Sequence, residues 1–195
     1  MAEIKSALEL ALERTKDIKS DPESLRRHQA KDDGKRLYAR IQEDPQFDLT
    51  GALKQVERDR RTWVREGLFS VARSNLTLPQ NEADVEKITT IERVLSELVR
   101  DTSTLTELMK QVRQFFQQYL EDRNQLTEEL PRQYEPRMKQ KEQQMAQQYG
   151  RQVNLDPATD PEFSRVLQDH IGQLDSQYRG ALQQVDEHLQ TMFNG

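Results

Sequence analysis

Cysteine is absent from the 195 residues. That removes disulfides, thiol nucleophiles and cysteine-held metals at once. Glycine and proline are scarce, seven of each, so turns are few. Runs of alternating β-branched residues are missing, and strands go with them. Hydrophobic residues make up 34% of the chain against 32% charged. That is too little for a large compact core, and ordinary for long helices that each bury one stripe. No apolar run approaches the ~18 residues of a membrane span. The opening residues, Met1 to Ser6, begin an amphipathic pattern without the apolar core of a signal peptide. The expectation is a soluble, cytoplasmic protein, and the Asn75-Leu76-Thr77 sequon reads as chance. A net charge of −5 argues against a wholesale binder of nucleic acid or anionic membrane.

What is present is helical periodicity. From Ile88 to Leu130, alternating steps of three and four give Ile88, Ile91, Leu95, Leu98, Thr102, Leu105, Met109, Val112, Phe116, Tyr119, Arg123, Leu126 and Leu130. Only Thr102 and Arg123 interrupt this heptad seam. Val94, Val99, Leu108, Phe115 and Leu120 widen it into a face that can pack on more than one neighbour. Asn81 can cap this central helix, which spans ~70 Å if unbroken to Leu130. Pro131 and Pro136 then predict a kink or a turn.

Around it the remaining helices fall into place. A first helix is expected over Glu3 to Lys19. Ser20-Asp21-Pro22-Glu23 starts a second, to Glu43, weakened by Lys31-Asp32-Asp33-Gly34 in its middle. Asp48 or Thr50 caps a third, to Asn75, with Trp63 expected in its core. Arg137 to Tyr149 is Gln-rich and reads as a peripheral helix ended by Gly150. The last helix, Pro161 to Phe193, carries a second seam: Leu167, Ile171, Leu174, Tyr178, Ala181, Val185, His188 and Met192. Antiparallel packing on the central helix follows from the connection between them. The expected fold is all-α: an elongated helical bundle, or long antiparallel helical hairpin with coiled-coil character, carrying packed N-terminal helices. Residues 1–80 form the N-terminal three-helix region, and 81–195 the hairpin.

Site chemistry is thin. His170 and His188 share a helix but stand about 27 Å apart by helical rise. They cannot share a metal within one chain. Adjacent acidic pairs such as Glu121-Asp122 point about 100° apart and read as solvated faces. There is no phosphate loop, nucleophile elbow or zinc-protease pattern. No catalytic residue, cofactor, metal ligand or small-molecule substrate is indicated.

Local basicity stands out instead. Residues 26–65 hold most of it, with Arg58, Arg60, Arg61 and Arg65 on one predicted helix, while the central and last helices are net acidic. The four arginines, with Arg123 in the central seam, are the candidate partner-binding residues. The leading expectation is a non-catalytic helical interaction protein: an adaptor, chaperone-like or assembly subunit working on a protein partner or as a homo-oligomer. The alternative is a nucleic-acid-associated protein using the basic surface of residues 26–65.

Overall fold

The computed structural model describes residues 21–150 and 154–195. The helix expected over Glu3 to Lys19 lies outside the described residues. Every regular element among the described residues is helical, as the composition requires. The described residues divide into two compact units, one ending at Val71 and the other beginning at Ala72.

In the first unit, α1 (Pro22–Glu43) begins where the Asp21 carboxylate accepts a hydrogen bond from the Glu23 N–H, with Pro22 in the first turn. Such a cap satisfies a donor that the helix cannot. The expected weakness at Lys31–Gly34 is not there, and α1 is continuous. Gly34 is needed for another reason. A Cβ on it would overlap the Val64 carbonyl oxygen and sit 2.7 Å from the Leu68 nitrogen. A Cβ on Gly67 would collide in turn with the Lys31 carbonyl. The two glycines let backbones touch where α1 crosses the third helix of the unit. Ala30, Val64 and Leu68 are buried beside them.

The helix expected from Asp48 to Asn75 is two helices, α2 (Leu49–Gln55) and α3 (Arg58–Ser74). Asp48 caps α2 by accepting from the Gly51 N–H at 2.8 Å. Val56 is extended and ends it. Trp63 is half-buried rather than enclosed. Val64, Leu68 and Phe69 take the core positions of α3.

In the second unit, α4 (Glu82–Ser96) starts at Asn81, whose side chain accepts from the Asp84 N–H; Asp84 reaches back to the Gln80 N–H at 2.9 Å. The central seam does not continue as one helix. The chain turns at residues 97–101, where Leu98 and Val99 fold into the core and Asp101 caps a new helix through Thr104. α5 (Thr102–Tyr149) then runs back along α4. Arg113 of α5 meets Thr89 and Glu92 of α4, so the two are antiparallel. A heptad pattern specifies a stripe, not a straight path, and the stripe on each side of the turn buries against the other.

Pro131 and Pro136 give neither a turn nor an end. α5 passes through both and closes 48 residues from its start, about 72 Å by helical rise, at Gly150 with φ 68°. Thus Arg137 to Tyr149 is the distal end of α5 and not a separate peripheral helix. A short 3-10 turn (Pro157–Thr159) leads to Asp160, which caps α6 (Pro161–Asn194). α6 packs antiparallel on α5.

Candidate interaction surface on the helical hairpin

In the first unit the sequence-predicted arginines are largely occupied. Glu66 of α3 accepts from Arg27 at 3.3 Å and pairs with Lys31 at 2.9 Å. Burial pushes its carboxyl up, but the hydrogen bonds from Lys31 and Arg27 outweigh that and hold it below the usual range. Asp33 takes Arg60 at 2.7 Å and Arg36 at 3.3 Å. Arg61 donates to the carbonyls of Lys54 and Val56, each at 3.0 Å, and so closes the C-terminal end of α2. Arg65 is half-buried and partnered. Arg58 is exposed at the first position of α3. A cleft of about 500 Å³ lies between α1 and the α2–α3 junction, edged by Arg36, Arg40 and Arg60 but also by Asp33 and Glu57. The basic helices therefore carry their own acidic complement.

In the second unit, two polar clamps fix the hairpin of α5 and α6. At its middle, Tyr119 of α5 donates to Asp175 of α6 at 2.7 Å, while Tyr178 of α6 donates to Asp122 of α5 at 2.5 Å. The two tyrosine rings meet edge to face at 5.1 Å, and Phe115 stacks on Tyr178 at 4.8 Å. The spacing is Tyr-x-x-Asp on one helix and Asp-x-x-Tyr on the other, so the bonds cross as diagonals and fit one antiparallel register. Burial, then the Asp122 hydrogen bond and charge, pushes the Tyr178 phenol up to about 12. Burial and the Asp175 bond raise Tyr119 as well. Near the tip, Lys141 bridges Asp160 at 2.7 Å and Glu162 at 2.6 Å. The hydrogen bonds to Asp160 and Glu162 raise the lysine, and both carboxyls are held low by it. Glu142 accepts the Leu155 N–H at 2.8 Å. Leu130, Tyr134, Met138 and Phe163 form a small core under this second clamp.

Between and beside these clamps the packing stays open. Of the 34 residues of α6, Phe163 and Leu189 are the buried ones. Ile171, Leu174, Tyr178, Leu182 and Val185 are only half-buried. Leu108, Phe115 and Leu126 on α5 are half-buried too. One groove of about 320 Å³ runs past Leu126 and Leu174, rimmed by Gln125, Gln173, Gln177, Asp122, Glu129 and His170. Another, of about 640 Å³, is bounded by Pro131, Pro157, Phe163 and Leu167. Arg123 is half-buried on α5, close enough to Tyr119 for its charge to act on the phenol. The second seam is rotated from its expected setting: Ala181 and His188 are exposed, and Leu182 and Leu189 turn inward. Among the described residues no cluster of three or more His, Asp or Glu could hold a metal ion, and no helix is long and apolar enough to cross a membrane.

In the sequence Asp122 reads as part of a solvated acidic pair, and Asp175 is not singled out. The signal that finds them is the mirrored Tyr–Asp spacing on two helices already expected to run antiparallel.

The chain belongs to a family of unknown function, DUF6657, whose match covers residues 50–191. No curated protein and no solved structure matches it.

Proposed function

We propose that this is a non-catalytic interaction protein, an adaptor or assembly subunit, that works through the open side of the α5–α6 hairpin. The observation that carries this reading is the incomplete burial of α6. A helix with a continuous apolar stripe ordinarily covers it inside its own fold. Here the stripe is positioned, clamped in register and left half-covered along most of its length. Half-buried apolar side chains with a polar, largely glutamine rim are the composition of protein–protein contact surfaces.

The basic surface of residues 26–65 supports the nucleic-acid alternative less well. Arg27, Lys31, Arg36, Arg60 and Arg61 are engaged within their own unit, and the carboxylates of Asp33 and Glu66 among them set negative charge against a phosphate backbone. The test is site-specific photo-crosslinking in cells of the native organism. A photoreactive residue at Leu174 or Gln177 is expected to give discrete protein adducts. The same residue at Glu121, Glu128 or Lys139, on the solvated back of α5, is expected to give none. Equal labelling from both sides would remove the hairpin side as the working surface.

A further inference from the structure

We infer that the cleft between α5 and the start of α6 binds a small amphipathic amine, an apolar body carrying one protonated nitrogen. This site is separate from the side of the hairpin that holds Leu174 and Gln177. Thr127 and Pro131 in its wall lie about 200° around α5 from Gln125 and Glu129, which rim the other groove.

The first observation is a space with fixed walls. The cleft holds about 640 Å³, and Pro131, Pro157, Phe163 and Leu167 are its apolar lining. That is the size and composition of a small-molecule site between helices. Little in the lining can swing in to fill it. The ring of a proline is tied to its own backbone. Phe163 is 4% exposed and packs on the Tyr134 ring, centroids 5.2 Å apart. Pro157 belongs to a 3-10 turn in which the Thr159 N–H and hydroxyl both donate to the Asp156 carbonyl at 2.9 Å. The same two bonds hold the Asp156 backbone in place.

The second observation is an acceptor released inside the cleft. Thr127 and Pro131 stand about one turn apart on α5, and both line it. Pro131 has no N–H to give, so the Thr127 carbonyl loses its helical donor at the cleft wall. The corresponding loss at Arg132, four residues before Pro136, falls where both residues are exposed, and water supplies that donor.

The third observation is the sign of the charge. Asp156 brings a carboxylate to the rim, and Ser164 and Gln168 beside it can each accept a hydrogen bond. None of the described residues lining the cleft is a lysine, arginine or histidine. The lining thus carries one negative charge and no positive one. A protonated nitrogen answers this set: it has several donors for the carbonyl and the carboxylate, and its bonds are charge-assisted. An anionic ligand of the same shape meets the like charge of Asp156. A wholly apolar one covers the Thr127 carbonyl and leaves it without a donor.

Three probes with one apolar body test this on the isotope-labelled full chain, followed by amide chemical shifts: phenethylamine, phenethyl alcohol and hydrocinnamate. The amine is expected to bind with a Kd in the millimolar range, on the order of what so few atoms can deliver, and to shift the amides of Asp156, Ser164, Leu167 and Gln168. The alcohol should bind about fivefold more weakly, and the carboxylate more weakly still. Asp156→Asn is expected to bring the amine down to the level of the alcohol and to leave the alcohol unchanged. Pro131→Ala gives the Thr127 carbonyl its N–H back. It should weaken amine and alcohol alike, about threefold or more, while raising the thermal midpoint, because a proline leaves a helix interior. Loss of binding in that variant is therefore not loss of the fold. Equal binding of amine and carboxylate, shifts centred on Gln173 and Gln177, or amine binding indifferent to both variants overturns the inference. No saturable binding of the amine at about tenfold above the expected constant overturns it as well.

Discussion

Replacing single glycines by alanine should change stability in opposite directions at different helices. At Gly34 the added Cβ would overlap the Val64 carbonyl oxygen and stand 2.7 Å from the Leu68 nitrogen. Ordinary contact begins at 3.4 Å, and the obstacle is backbone, which cannot rotate aside. α1 and α3 must therefore part by on the order of 1 Å, a gap that forfeits a quarter to a half of each dispersion contact along the seam. Ala30 and Leu68, both at 0% exposure, lie on that seam. Overpacking of this kind costs roughly 1–3 kcal/mol, and more when nothing can yield. The gain in helix propensity returns about 1 kcal/mol. Gly34→Ala is expected to lose about 2 kcal/mol net, and Gly67→Ala, aimed at the Lys31 carbonyl, about the same. Gly172→Ala, in open space, should gain about 0.5–1 kcal/mol. Urea titration followed by Trp63 fluorescence and circular dichroism reads this, because the single tryptophan sits in the unit that holds both crossing glycines. If Gly34→Ala and Gly67→Ala proved as stable as the parent, the close crossing would be wrong.

The mirrored tyrosine clamp makes two further predictions. Tyr119→Phe and Tyr178→Phe should each cost about 0.5–1.5 kcal/mol, the net worth of one hydrogen bond, since Asp175 keeps Arg179 and Asp122 keeps Gln118 as donors; a double-mutant cycle showing no loss at either position would deny the clamp a stabilising role. The Tyr178 bond needs the protonated phenol, whose unfolded value is about 10. Its contribution is intact below that value and is lost as pH rises toward about 12, so an alkaline stability profile should fall across that window in the parent and fall less steeply in Tyr178→Phe, where the raised Tyr119 phenol still contributes. At the tip, Lys141→Met should raise amide exchange at Leu155 and Phe163, and acid should do the same as pH falls through the lowered values of Asp160 and Glu162. Unchanged protection at both amides would show that the apolar cluster alone holds the tip.

Periodicity made the helices legible, and caps made most of their starts legible. Asp48, Asn81 and Gly150 each do what short-range chemistry asks of them. What periodicity hides is direction. The seam from Ile88 to Leu130 stays in phase across residues 97–101, so nothing in its spacing shows that the chain reverses there; the reversal is stabilised by burying Leu98 and Val99 and by the Asp101 cap. Gly34 misled in the opposite sense. Propensity counts a glycine as a weakness in its own helix, and only the neighbour's backbone reveals it as a contact. The arginines of residues 58–65 looked like a shared surface, yet Arg60 and Arg61 serve different internal acceptors. Pairing of that sort depends on Asp33 and on free carbonyls brought near by folding.

The passage of α5 through Pro131 and Pro136 has a thermodynamic meaning. Neither proline can donate to the carbonyl four residues earlier, so Thr127 and Arg132 lose their helical bonds. Each interruption costs about 3 kcal/mol in a helix standing alone. The distal third of α5 cannot recover that from local propensity. It recovers it from Leu130, Tyr134 and Met138 closing on Phe163, and from Lys141 reaching Asp160 and Glu162. The far end of α5 and the beginning of α6 are therefore one cooperative element: the prolines make helix there conditional on the strand of chain that returns, and neither half is a folding unit by itself.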